Sequence, residues 1–168
     1  MTGGMGSGHR IYARHSGVGA AHRLPIPLIK RCIRTALRLE GVDMPCEVSV
    51  LIADDRLLRE LNSEFRGVDK ATDVLSFPMH EFSPPGWARP GFGAAGTEAG
   101  ALPLGEIVIS AERIDNQARE YGQSRERETA YITVHSVLHL LGYDHIDEAE
   151  GKKQMRGREE EILAHVTV

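Results

Sequence analysis

Residues 131–145 read Tyr-Ile-Thr-Val-His-Ser-Val-Leu-His-Leu-Leu-Gly-Tyr-Asp-His. His135 and His139 are four positions apart, which on an α-helix means ~40° of rotation and ~6 Å of rise, so both imidazoles leave one face. Gly142 follows, a residue suited to the left-handed conformation that ends a helix and turns the chain back, and His145 comes three residues later. Three neutral imidazoles brought together in this way occupy three corners of a tetrahedral site and leave the fourth open, the arrangement of a catalytic rather than a structural zinc. A single His on an apolar helix is most often a packed core residue; three at this spacing around a glycine point to a metal. Between them Ile132, Val134, Val137, Leu138, Leu140 and Leu141 leave almost no polar face apart from the histidines. The helix is therefore expected to be buried nearly all round. Buried, unpartnered imidazoles are costly, and a bound metal removes that cost.

Working outward, Ser124 is placed to start this helix, and Asp147 onward, with Met155, Ile162 and Leu163 among dense charges, predicts a C-terminal amphipathic helix. Upstream, Leu104–Ile109 reads as a strand, followed by a helix capped by Ser110, running through Tyr121 and stopped by Gly122. Cys46–Ala53 begins with alternation and becomes continuously apolar, as a strand covered by helices does. Asp54 then caps a helix carrying Leu57, Leu58 and Leu61, and Val74–Phe77 is a short strand stopped by Pro78. Pro25 and Pro27 open a helix with Leu28, Ile29, Cys32, Ile33, Ala36 and Leu37 at helical spacing, and Gly41 lies just beyond it. The segment 80–103 holds five Gly and four Pro and is expected to be an irregular surface loop, either a lid or substrate contact, or a variable insertion. The order predicts one α+β domain: a small mixed sheet of about four strands packed with about five helices around a buried central metal-binding helix.

Composition sets the class. The 168 residues suit one domain, and 41% hydrophobic with 26% charged content is ordinary for a soluble globular protein. No apolar run approaches the ~20 residues of a membrane span, and no signal core stands at the N-terminus. Cys32 and Cys46 form no paired motif and are expected to be core thiols in a reducing, cytoplasmic setting. The net charge of −4 conceals an asymmetry: residues 1–39 carry seven Lys/Arg and no Asp or Glu, and the remainder 13 basic against 24 acidic residues. Residues 1–22 are therefore expected to be a flexible basic arm, with a weak strand signal near Ile11 and Tyr12, and 23–168 a single hydrolase domain. A basic arm on an acidic body is compatible with a polyanionic partner.

The His-x3-His-x2-Gly-x2-His spacing is also that of the metzincin peptidases, in which a Glu after the first His serves as general base. Here that position is Ser136. A serine hydroxyl of ordinary acidity cannot take that proton, which makes a metallopeptidase or other metallohydrolase the alternative reading. A third reading is a non-catalytic RNA-binding protein with a structural metal.

The segment His-Ser-Val-Leu-His-Leu-Leu-Gly-Tyr-Asp-His (135–145) resembles the H-G-x-L-H-L-x-G-Y-D-H signature of the YbeY-type endoribonucleases, bacterial factors for ribosomal RNA maturation. Leu61-Asn62 with Phe65-Arg66, Thr72–Pro78, and Leu104–Ser110 are similar to the family's other motifs, in the same order. The likeness covers about residues 45–165; Ser136 stands where Gly is usual, and the 80–100 loop and the first 20 residues fall outside it. The resemblance implies a single-strand-specific endoribonuclease acting in 16S 3′-end maturation and ribosome quality control. It implies one Zn2+, or another divalent transition metal, held by His135, His139 and His145, catalysis by Arg66 and His135, and ribosomal RNA, ribosomal subunits or ribosome-associated proteins as partners. Read alone, Arg66 is expected to pair with Asp69 or Asp73. With the resemblance it becomes a clamp for phosphate, whose non-bridging oxygens gain charge during cleavage. Thr72 and Asp73 are placed to hydrogen-bond within their turn; Asp73, and Asp144 beside His145, are the alternative candidates to orient a metal ligand. Glu106 is expected to be an ordinary sheet-end carboxylate, and His9, His15, His22, His80 and His165 surface or core residues.

Overall fold

The computed structural model describes residues 8–91, 100–144 and 148–168. Among these the chain forms, in order, β1 (Arg10–His15), α1 (Ile26–Leu39), β2 (Cys46–Ala53), α2 (Asp55–Arg66), β3 (Val74–Pro78), β4 (Leu102–Ser110), α3 (Ala111–Glu120), α4 (Arg125–Leu140) and α5 (Glu148–Ala164). It is an α+β domain with one four-stranded sheet, ordered β1-β2-β4-β3. β1, β2 and β4 run parallel, and β3 closes one edge antiparallel to β4.

Helix starts are chemical. Asp54, Ser110 and Ser124 each accept a hydrogen bond from the backbone N–H three residues on, satisfying a donor the helix itself leaves orphaned. Gly67, at a φ of 67°, ends α2 directly after Arg66. The sheet is covered on both faces. One face carries Val48, Val50, Ile52, Leu104, Ile107 and Ile109 into the main core with α1, α3, α4 and α5. The other carries Ala53, Leu75 and Val108 against Leu58 of α2, with Leu51, Leu57, Leu61 and Phe77 around them. Both cysteines are buried and free, and burial pushes the Cys32 thiol up to about 11.

The central helix is α4. From Glu128 to Leu140 every residue is buried except Tyr131, His135 and His139, which are spaced four apart and form one stripe. The hydroxyls of Thr129, Thr133 and Ser136 donate back to the carbonyls of Arg125, Thr129 and Ile132, each at 2.7 Å, so polar side chains enter the core already satisfied.

Residues 8–22 differ from the expected flexible arm. Arg10–His15 pair in parallel with Glu47–Ile52 as the edge strand β1. Ile11 points into the core while Arg10, Tyr12 and Arg14 face solvent, so a single apolar anchor was masked by outward charges. The segment is tied down further by polar contacts. His9 Nδ1 accepts from the Cys46 N–H, His15 Nε2 accepts from the Leu24 N–H, and His22 Nδ1 lies 2.6 Å from Asp115. Burial lowers the pKa of His9 and of His15, with Arg34 and Arg23 as lesser causes, which suits their role as acceptors.

Candidate active site

The histidine stripe faces an open cleft of about 1090 Å³. That is at the upper limit of what a small-molecule pocket needs and suits an extended substrate. α4 forms one wall. The antiparallel edge strand β3 forms another, through Val74, Ser76 and Pro78; the alternate residue Phe77 turns to the α2 side. Thr72 and Asp73, the start of the loop at His80–Ser83, the turn at Gly142–Asp144, and Lys152, Met155, Arg156 and Glu159 of α5 complete it.

His135 Nε2 and His139 Nε2 lie 3.0 Å apart, with ring planes at 80°. Two metal–nitrogen bonds of ~2.0–2.1 Å at a tetrahedral angle put the nitrogens ~3.3 Å apart, so the pair is spaced to share one ion. Among the described residues no three His, Cys, Asp or Glu side chains make up a full metal set. His145 lies outside the described residues, so the third ligand of the expected triad is carried by spacing alone. On its other nitrogen, His135 Nδ1 lies 2.6 Å from Glu159 Oε1 on α5. The Tyr131 ring stacks on His135 with centroids 5.9 Å apart. Burial, then the carboxylates of Glu159 and Glu128, push the Tyr131 phenol up to about 12, so at neutral pH it is a neutral hydroxyl.

Arg66, the last residue of α2, reaches the cleft from the opposite side to the histidines' own helix. The ion pairs expected for it on local grounds are taken. Asp69 accepts two hydrogen bonds from Arg59, at 2.7 and 3.1 Å, and Asp73 accepts from Gln117 Nε2 at 3.2 Å. Arg66 has no ion-pair partner among the described residues. Its position is set by Asn62, buried one turn earlier, whose amide donates to the Lys70 carbonyl and holds the 67–70 turn against α2.

Ser136 turns the other way from the cleft, fully buried, with its hydroxyl bonded to the Ile132 carbonyl. The position that bears the general base in a metzincin motif thus points into the core. Glu106 is also away from the cleft: it pairs in register with Phe77, on the sheet face opposite Ser76 and α4. Asp144 lines the cleft as an exposed carboxylate, and Asp73 faces it from the 72–73 turn. His80, read as outside the site, stands on the cleft wall. Glu159 and Tyr131 are the neighbours of His135 that spacing did not single out. Glu159 belongs to a different helix, and the signal for Tyr131 was its place one turn before His135 on the same stripe.

Paired imidazoles on one wall, an arginine across from them with no ion-pair partner among the described residues, and cations of α5 on the rim suit a hydrolase acting on an anionic polymer. The chain belongs to the endoribonuclease YbeY family, whose model, described as Endoribonuclease YbeY, matches residues 21–167. It is 45% identical over 145 residues to an Endoribonuclease YbeY of Clostridium botulinum, covering 83% of this chain and 87% of that one. It is 48% identical to that of Clostridium acetobutylicum over the same shares, and 49% identical to that of Clostridium tetani over 81% of this chain and 84% of the other. Among solved structures it is similar to the solution structure of TM1509 from Thermotoga maritima, at a TM-score of 0.58 and 27% identity over 93% of this chain and 88% of that one. No helix among the described residues is long and apolar enough to cross a membrane.

Proposed function

We propose that this chain is a metal-dependent, single-strand-specific endoribonuclease that matures the 3′ end of 16S ribosomal RNA in the cytoplasm and serves ribosome quality control. The observation that carries its chemistry is the meeting of His135 Nε2 and His139 Nε2 at 3.0 Å on the one unburied stripe of α4, facing a cleft with Arg66 opposite. His135, His139 and His145 would hold one Zn2+ ion. When bound, that ion supplies Lewis acidity toward a phosphate oxygen or lowers the pKa of a water.

The remaining work falls to the chain. The attacking oxygen comes from water or from the RNA's own 2′-hydroxyl and gives up its proton; the P–O bond to the departing strand breaks, its ribose oxygen takes up a proton, and in both cases charge builds on the non-bridging phosphate oxygens. Arg66, which has no ion-pair partner among the described residues, meets that charge with a planar fork of donors. Lys152 and Arg156 on the rim attract the neighbouring phosphates. The open groove admits a single strand, and Tyr131 offers an aromatic face beside the reaction centre. The ribosomal assignment, with ribosomal subunits and their associated proteins as partners, rests on the family resemblance. The peptidase alternative is disfavoured by the burial of Ser136.

The test is purified protein assayed on single-stranded and duplex RNA and on casein, alongside the ribosomal RNA 3′ ends of cells lacking it. Cleavage of single-stranded RNA with unprocessed 16S 3′ ends is expected. Casein cleavage without RNA cleavage would overturn the reading.

A further inference from the structure

The second nitrogen of His135 is as deliberately placed as the first. Its Nδ1 lies 2.6 Å from Oε1 of Glu159, which is only 6% exposed and belongs to α5 rather than to the histidine helix. At that separation a carboxylate oxygen accepts, so Nδ1 must be the atom that carries the proton. The neutral ring then keeps its lone pair on Nε2, the atom that meets His139 Nε2 at 3.0 Å. The stacked Tyr131 ring, at an interplanar angle of 29°, limits rotation of the imidazole from the side.

The helix that carries Glu159 is held by contacts that involve neither histidine. The adjacent Arg158 donates to Glu40 at 2.7 Å and to the Leu39 carbonyl at 3.2 Å, fastening α5 to the end of α1. Glu40 also accepts from the Tyr143 hydroxyl at 2.8 Å, so one carboxylate ties α5 and the turn after α4 together. The stretch of α5 from which Glu159 reaches His135 is thus docked by bonds of its own, before any ion arrives.

We infer that Glu159 is the positioning residue of the metal centre: it holds His135 in the one tautomer and orientation that ligates, and thereby sets the site's affinity for a transition-metal ion. This rests on the metal reading of the site given above. A carboxylate behind a ligating imidazole raises its basicity, and loss of such a partner typically weakens metal binding ~10–100-fold.

The test uses the full chain, with Co2+ as a spectroscopic probe and Zn2+ measured by competition with a chelating dye. Glu159→Ala is expected to weaken Zn2+ binding ~10–100-fold and to alter the visible Co2+ bands. Glu159→Gln, which still accepts from Nδ1 but lacks the charge, is expected to fall between Ala and wild type. Melting of the metal-free proteins shows whether a variant has merely unfolded; if Ala does, Gln decides. Wild type binding one equivalent while both folded variants bind within twofold of it would overturn the role of Glu159 and leave the metal reading standing. Wild type and His135→Ala alike binding no metal would remove the metal reading and this inference with it.

Discussion

The Phe82 carbonyl oxygen and Gly142 are in such close contact that a Cβ built on the glycine would stand 2.5 Å from that oxygen. Gly142 also has a φ of +91°, a conformation that side chains rarely adopt. The turn leaving α4, whose Tyr143 and Asp144 line the cleft, is therefore locked against the first residues of the 80–103 loop. Gly142→Ala adds left-handed strain of ~1–2 kcal/mol to an overpacking cost of ~1–3 kcal/mol. Denaturant unfolding is expected to show a loss of about 2–5 kcal/mol, far more than the same change at Gly157, which has open space around it.

Arg66→Ala is expected to leave stability almost unchanged, because the side chain is exposed and its acidic neighbours are paired elsewhere. Turnover of single-stranded RNA is expected to fall ~10²-fold or more, the usual loss for a donor aimed at developing charge. Arg66→Lys should recover little, since a point charge does not replace a planar fork. Equal losses of stability and activity would make the arginine structural.

Much of this was legible from residues alone. Helix caps at Asp54, Ser110 and Ser124 and the nearly all-round burial of α4 follow from local chemistry, and the structure places them where spacing does. The His135–His139 pair was legible because both lie on one helix. Glu159 was not, because its pairing depends on how α5 docks on α4, a tertiary fact with no periodic trace. His80 was invisible for the same reason: the path of a Gly- and Pro-rich loop is set by what it packs against. Strand β1 was nearly hidden because one inward Ile11 carries it between two arginines. That neither Asp69 nor Asp73 pairs with Arg66 follows from the partners these two choose, Arg59 and Gln117, which local sequence could not rank.

Glu128 gives a pH signature. Burial, and then the neighbouring Asp73 carboxylate, raise its pKa despite its place in the first turn of α4. A carboxyl with a raised folded-state pKa binds more protons folded than unfolded, so stability falls as pH rises from the ordinary value of ~4.3 through the raised one. Above that window the loss is complete and constant. Glu128→Gln is expected to raise the melting temperature at neutral pH and to flatten this part of the profile. An unchanged profile would mean that the carboxylate is fully solvated or paired when ionised.

Ser136 tests the alternative chemistry. Ser136→Ala removes a hydroxyl bonded only to its own helix and is expected to change stability by no more than ~1 kcal/mol, with activity retained. Ser136→Glu, which restores the metzincin sequence, buries a charge in the core and is expected to destabilise the fold by several kcal/mol without producing peptidase activity. Casein cleavage by a folded Ser136→Glu protein would show that the side chain reaches the cleft.

The most direct measurement of the central claim is RNA cleavage as a function of bound metal. Protein stripped by chelator, then titrated with Zn2+, is followed for single-stranded RNA cleavage and metal content together, with His139→Ala in parallel. Cleavage is expected to be lost on stripping, to return in proportion to occupancy up to one ion per chain, and to stay absent in His139→Ala. Full cleavage by stripped, metal-free protein, or by folded His139→Ala, would contradict the account.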